Sequence, residues 1–328
     1  MYWVKKQQHD FKNDPCGAAE LISVIIPVYG KKLAPIVETL RSLRQQSSVQ
    51  LEIIIVSNGV SEGSFKALGI LAGRDIKIVY LGKNMGAAFA RNAGVKVAKG
   101  EVLWFVDSDV YGVNPDAGRL ALEHLKQDGQ IGSLGGVIFH GDDGCSFVGG
   151  RIRDEFTGTY SHSGKLLDDD FVNTACVFVR RSVFNTINGF ADYIEYPFDD
   201  VDFGFKVRSA GFRCVGCFEC SGLHPLYSPS DNFFYTFMTM HNLLLHLFIS
   251  YNPATFRALL RKKREMKWRM APPSKKAAQI SRVKPMINKL FGLFLAAGWL
   301  LIHLVLVLKL RVERQRYIHS FGDIQVFA

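Results

Sequence analysis

The sequence predicts an α/β protein: a parallel sheet with helices on both faces. Three observations carry this. Short, mostly apolar runs rich in Val, Ile and Leu recur at 24–28, 51–56, 76–81 and 102–106. Each run precedes a segment with helical features, and strands apolar throughout belong to sheets covered on both sides. No repeat of about 20–50 residues recurs, which excludes a solenoid or propeller. The 328 residues, 48 % apolar and 21 % charged, are enough for a substantial core and too apolar for a disordered chain.

Taken in order, residues 1–20 are polar, contain Pro15 and Gly17, and read as a tail. The strand at 24–28 leads to a helix at 35–46, with Ile36, Val37, Leu40 and Leu43 at helical spacing and Pro35 tolerated in the first turn. The strand at 51–56 precedes a helix at 62–74. The strand at 76–81 precedes a helix at 86–99, whose Phe89, Ala93 and Val97 share a face. After 102–106, Asn114 and Pro115 suit the N-cap and first position of a further helix. The half from 131 to about 228 is less regular. It offers strands at 131–139, 171–179 and 212–218, and a helix at 199–209 stopped by Gly211. Residues 233–251 form an apolar helix with one polar stripe: Thr236, Thr239, Asn242, His246 and Ser250.

Ligands of such sheets bind beyond the carboxyl ends of the strands, here Tyr29-Gly30, Ser57-Asn58-Gly59, 82–84 and Asp107-Ser108-Asp109. No G-x-G-x-x-G follows the first strand and no G-x-x-x-x-G-K-[ST] occurs, which weighs against a dinucleotide site and a P-loop. Asp107 and Asp109 end the driest strand, and a hard cation, Mg²⁺ or Mn²⁺, bridging to a diphosphate would compensate their charge. A turn rich in Asp and Ser is the plainer alternative. Asp199, Asp200 and Asp202 open the helix at 199–209, where its dipole favours at least one of them. A carboxylate there, partly buried by aromatics, would have the raised pKa of a general base. His224 is either a metal ligand or a structural histidine.

Six cysteines and no secretory signal predict reduced thiols in a cytoplasmic compartment. Cys214-x-x-Cys217-x-x-Cys220 has ligand-like spacing, but on a strand residues i and i+3 face opposite ways, so these three are not expected to hold a metal.

Several blocks together resemble glycosyltransferase family 2. They are Ser23-Val-Ile-Ile-Pro-Val-Tyr29, Glu52-Ile-Ile-Ile-Val56, Asn84-x-Gly86, Ala90-Arg91-Asn92-x-Gly94 and Phe105-Val-Asp107-Ser-Asp109. Ala175–Arg181, Gly189-Phe190, Phe198-Asp-Asp-Val-Asp-Phe203, Arg208-x-Ala-Gly211 and His224 continue the order to about residue 226. The resemblance implies a GT-A fold over 21–228, with a nucleotide-binding half at 21–130 and an acceptor half at 131–228. It also implies an inverting sugar transfer from a nucleotide-diphosphate sugar. Asp107 and Asp109 would hold ribose and metal, His224 would be a further metal ligand, and Asp200 the base, with Asp199 where Glu is usual. Pro27, Tyr29, Ser57, Asn58, Asn84 and Arg91 would line the nucleotide. Ser57-Asn58 stands where the family has an Asp, and Arg91 could instead pair with the Asp107–Asp109 group.

Charge divides the chain. Residues 1–256 carry 24 Lys+Arg against 27 Asp+Glu, and residues 257–328 carry 16 against 3. The basic amphipathic segment at 256–270, within a stretch 229–289 read as membrane-surface helices, suits an anionic bilayer. The 19 residues 290–308, whose only ionisable member is His303, would make a helix of about 28 Å, near the hydrocarbon thickness. A nucleic-acid-binding tail has no use for such a segment, so a membrane rather than a nucleic acid is the expected partner. Residues 309–328 form a tail, and twelve Lys/Arg at 257–289 against four after the apolar run favour a body at the cytoplasmic face. The reading is a membrane-anchored, metal-dependent inverting glycosyltransferase with a lipid-linked or surface-glycan acceptor. A nucleotidyltransferase and an inactive membrane scaffold are the alternatives.

Overall fold

A computed structural model describes residues 21–30, 33–72, 76–139, 149–154, 159–163, 167–194, 196–225, 233–251 and scattered positions between 297 and 312. The first half runs β1 (Leu21–Val28), α1 (Ala34–Arg44), β2 (Gln50–Ser57), α2 (Glu62–Ala72), β3 (Ile76–Tyr80), α3 (Ala87–Val95), β4 (Val102–Val106), α4 (Ala117–Gln127) and β5 (Ile131–Gly135). The second half adds β6 (Val137–Phe139), β7 (Gly149–Asp154), β8 (Thr159–Ser163), β9 (Leu167–Asp169), β10 (Phe171–Val172), β11 (Cys176–Arg180), α5 (Arg181–Thr186), α6 (Asp199–Ser209), β12 (Arg213–Gly216), β13 (Gly222–His224) and α7 (Phe233–Ser250).

The main sheet has eight strands in the order β3-β2-β1-β4-β11-β5-β12-β9. The first four are parallel, as the sequence predicts. The sheet as a whole is mixed, which corrects the all-parallel expectation: β11 runs antiparallel to both β4 and β5, and β9 antiparallel to β12. Alternation along each strand feeds two cores. Ile22, Val24, Ile26 and Val28 pack with Ile36, Leu40 and Leu43 of α1 and Ala121 and Leu125 of α4. Ile25, Ile54, Leu103 and Phe105 face the other side, against Ala88 and Ala90 of α3 and Phe184, Phe190 and Phe203. Burying each such side chain contributes roughly 1.5–3 kcal/mol, so the sheet is pinned from both faces. At Gly94 an added Cβ would lie 2.4 Å from Ile25 Cγ2, so only glycine lets α3 approach β1 this closely.

Two predicted strands divide. The run at 131–139 breaks at Gly135 and Gly136, whose φ of 118° and 122° admit glycine, sending β6 to a separate pair with β13. The run at 171–179 is interrupted by a turn in which Asn173 Oδ1 accepts from Ala175 N (2.9 Å). β12 ends at Gly216, two residues short of the predicted limit.

α7 packs against α6. Its Leu243, Leu247 and Ile249 pack with Phe198, Val201 and Phe205 around α6. The polar stripe has a structural purpose: Asn242 Nδ2 donates to Pro197 O (2.9 Å), and His246 Nδ1 lies 2.7 Å from Asp202 Oδ1. The basic stretch at 257–289 and the tails 1–20 and 313–328 lie outside the described residues, as does most of 290–308. Among the described residues no helix is long and apolar enough to cross a membrane.

Candidate active site

β4 delivers Asp107 and Asp109 to the carboxyl edge of the sheet. The backbone there is held on both sides: Asp107 N donates to Ala175 O (2.7 Å), and Thr39 Oγ1 of α1 donates to Ser108 O (2.9 Å). Paired bonds between Tyr111 and Leu223 (2.9 and 2.8 Å) draw β13 alongside, so His224 Nε2 lies 3.2 Å from Asp109 Oδ1. Burial opposes protonation of His224, but the hydrogen bond and charge of Asp109 outweigh it and raise the imidazole pKa. Burial also pushes the Asp107 carboxyl above its ordinary range; Arg91 opposes this and the charge of Asp109 adds to it.

Arg91, on the buried face of α3, joins the two acidic motifs. Its Nη2 donates to Asp107 Oδ1 (2.8 Å) and its Nη1 to Asp199 Oδ2 (2.7 Å), with the guanidinium 5.3 Å from the Phe190 ring centroid. Burial disfavours the cation, yet the charges of Asp107 and Asp199 more than offset this and keep it protonated. Of the two roles the sequence left open for Arg91, the structure places it in the carboxylate pairing rather than open to a nucleotide.

Asp200 follows Asp199 at the start of α6 and accepts from Val201 N (2.8 Å). Burial, then the neighbouring Asp199 charge, raise its carboxyl to about 7, the range of a base at neutral pH. Phe198 enters the helix at φ 113°, a left-handed conformation unusual for an aromatic residue. The contact of Asp202 with His246 was not foreseen; its only sequence signal was the polar stripe on α7.

The other predicted residues lie at the ends of β1, β2 and the loop after β3. Pro27 is half-buried in β1 and Tyr29 is 66 % exposed just beyond it. Ser57 is buried, with an Oγ that has no hydrogen-bond partner. Asn58 is committed internally: its Nδ2 donates to Asn84 Oδ1 (3.0 Å) and Gly86 O (3.2 Å), and its Oδ1 accepts from Met85 N (2.8 Å). Its amide shapes the 84–86 loop instead of standing open to a base, and Asn84 is exposed on that loop. Gly59, at φ 76°, lets the two loops meet; a Cβ there would lie 2.3 Å from Asn84 N.

Asp109 and His224 are the observed pair of candidate donors, 3.2 Å apart, with Asp107 two residues before Asp109 on the same strand end and engaged by Arg91. Carboxylate oxygens with an imidazole are a donor chemistry that suits a hard divalent cation, and Asp107 would have to turn towards the pair to join it.

The family model described as glycosyl transferase family 2 matches residues 23–187. Glycosyltransferase GlyG of Streptococcus pneumoniae is 37 % identical over 95 residues, 28 % of this chain and 31 % of GlyG. The Escherichia coli UDP-Glc:alpha-D-GlcNAc-diphosphoundecaprenol beta-1,3-glucosyltransferase WfaP is 35 % identical over 96 residues, 29 % of this chain and 37 % of WfaP. The chain thus spans about a third of each of these relatives. Among solved structures, the Pyrobaculum calidifontis mannosyltransferase PcManGT in complex with GDP-Man and Mn²⁺ superposes with TM-score 0.53 at 17 % identity, over 94 % of this chain and 90 % of that one. GalNAc-T7 with UDP, GalNAc and Mn²⁺ gives 0.56 at 13 % identity, over 87 % and 57 %. The ordered motifs, the GT-A-like sheet and a family match over half its length place this chain in glycosyltransferase family 2.

Proposed function

We propose that the protein transfers a sugar from a nucleotide-diphosphate donor to an acceptor hydroxyl by a single inverting displacement. The observation that carries this is the Arg91 bridge, which holds the Asp107–Asp109 group and the Asp199–Asp200 group in one site. Asp109, Asp107 and His224 would hold Mg²⁺ or Mn²⁺, which when bound neutralises charge on the donor diphosphate. Asp200 accepts the acceptor hydroxyl proton as that oxygen bonds to the anomeric carbon, and the bond from that carbon to the diphosphate breaks with its electron pair. Asp199, held in place by Arg91, adds its negative charge to the effect of burial and keeps Asp200 basic enough for this at neutral pH. Tyr29 and Ser57 border the nucleotide, and the exposed Tyr29 ring can stack on a base.

A membrane-borne acceptor, lipid-linked or a surface glycan, fits two observations. WfaP is named for a diphosphoundecaprenol-linked acceptor. Leu301, Leu304, Val305, Leu308 and Val312, at helical spacing, are each 44–84 % exposed, while Val307 turns inward at 2 %. An apolar face of that kind is suited to a bilayer at the cytoplasmic side.

Thermal stabilisation by a panel of nucleotide sugars, with and without Mn²⁺, followed by calorimetry on the best donor, tests the reading. Binding that needs the metal is expected. Equal affinity in excess chelator would remove the metal assignment, and no donor bound with metal present would overturn the transferase reading.

A further inference from the structure

We propose that His124, Cys217 and Cys220 form a zinc site, separate from the donor site, that clips the chain entering β13 to the end of α4. The thiols were not expected to converge, because the sequence placed Cys217 on a strand. β12 instead ends at Gly216, and residues 217–221 turn so that Cys217 Sγ and Cys220 Sγ lie 2.9 Å apart. The third donor comes from the last turn of α4: the His124 ring nitrogen and both sulfurs all lie within 4.8 Å of one another. Cys214 is not part of the group; its Sγ lies 3.8 Å from Gly204 O.

The scaffold is built from several elements. Cys217 N donates to Gly135 O at the end of β5 (3.1 Å), Ser221 N to Phe218 O (3.1 Å), and Ser221 Oγ to Cys217 O. Both cysteines are fully buried, packed with Leu122 and Leu125 of α4 among others. Zinc bonds of about 2.3 Å to sulfur and 2.0–2.1 Å to nitrogen place tetrahedral donors roughly 3.5–3.8 Å apart. The observed cluster needs the two sulfurs to separate by about 0.9 Å, within reach of side-chain rotation. Glu219 Oε2 lies 3.8 Å from Cys217 Sγ but outside the three-donor group, so the fourth position falls to this carboxylate after a side-chain movement, or to water. Cys-x-x-Cys thiolates joined by an imidazole select zinc among the common divalent ions, whereas the carboxylates of the donor site select a harder one.

The full-length chain, purified without chelator, reductant-depleting steps or a metal-affinity tag, should carry one equivalent of zinc by elemental mass spectrometry. After stripping, cobalt should restore a thiolate charge-transfer band and tetrahedral d–d bands. The donor site, which contains no sulfur, cannot produce that charge-transfer band. Cys217→Ser and Cys220→Ser should lose it, Cys16→Ser should keep it, and His124→Ala should weaken zinc binding by at least about 10–100-fold, the cost of losing even a supporting group. Should the serine variants not fold, alkylation of the wild type across a urea gradient decides: at urea that opens the stripped protein, zinc-loaded protein should still protect Cys217 and Cys220, and stripped protein should not. Zinc absent from the purified chain, a cobalt spectrum without the sulfur band, or equal alkylation in both forms would overturn the proposal.

Discussion

Replacing Asp199 with Asn tests how the site sets the basicity of Asp200. Asp199 is buried beside Asp200 and paired with Arg91 at 2.7 Å, and its negative charge is the second cause, after burial, of the rise of Asp200 from 3.8 to about 7. Asp199→Asn keeps the shape and an acceptor for Arg91 while removing the charge. The perturbation acts twice in one direction: the repulsion on Asp200 disappears, and Arg91, neutralised by one carboxylate fewer, attracts the Asp200 anion more strongly. A unit charge about 6 Å away at an effective dielectric of about 20–40 is worth roughly 1.4–2.8 kcal/mol, or about 1–2 pKa units. The base must be ionised to act, so the acidic limb of kcat/KM in the parent should fall away below pH of about 7. In Asp199→Asn the limb should move about 1–2 units lower, with a smaller maximum because a weaker base accepts the proton less readily. The assay is the pH profile of nucleoside-diphosphate release with the donor found by screening, alongside Asp200→Asn, which should lose about 10²–10⁴ in turnover. A limb that stays in place, or moves upward, would refute the assignment of Asp200 as a base tuned by Asp199.

Three further outcomes are expected. Arg91→Leu leaves the buried Asp199 and the half-buried Asp107 unpaired and should cost about 3 kcal/mol by urea unfolding; a loss under about 1 kcal/mol would mean the bridge is not holding the acidic groups together. Glu52 is held at about 2 in the fold, because hydrogen bonds from Lys77 and Ser23 overcome the opposing effect of burial. With its folded value below its ordinary 4.5, its contribution is fully present above pH 4.5 and is lost as pH falls towards 2, so stability should drop by up to about 3 kcal/mol across that window in the parent but not through this group in Glu52→Gln. Full-length protein should sediment with anionic vesicles and stay bound in high salt, since salt screens only the ionic part; release by salt alone would remove the apolar anchor.

Local patterning sufficed for the first half of the chain, β1 to β4. Mostly apolar runs rich in Val, Ile and Leu placed β1 to β4, helical spacing placed α1 and α3 between them, and strand ends pointed to Tyr29, Ser57, Asp107 and Asp109. The acidic start of α6 was legible for the same reason: strand alternation and helix-terminus chemistry are properties of a few adjacent residues. Pairing between distant segments is not written locally. Period-two alternation has no direction, so nothing in Cys176–Arg180 told that it enters between β4 and β5 antiparallel. Arg91 could be read as a nucleotide contact or an ion-pair partner until α3 was seen against α6, and Asn58 as a base reader until its amide was seen closing the 84–86 loop. The polar stripe of α7 was visible as a pattern, but only packing against α6 turned it into a partner for Asp202. Likewise Cys217 and Cys220 carried a recognisable spacing that a strand would have split. Only the early end of β12, and the arrival of His124 from a distant helix, brought the three donors together.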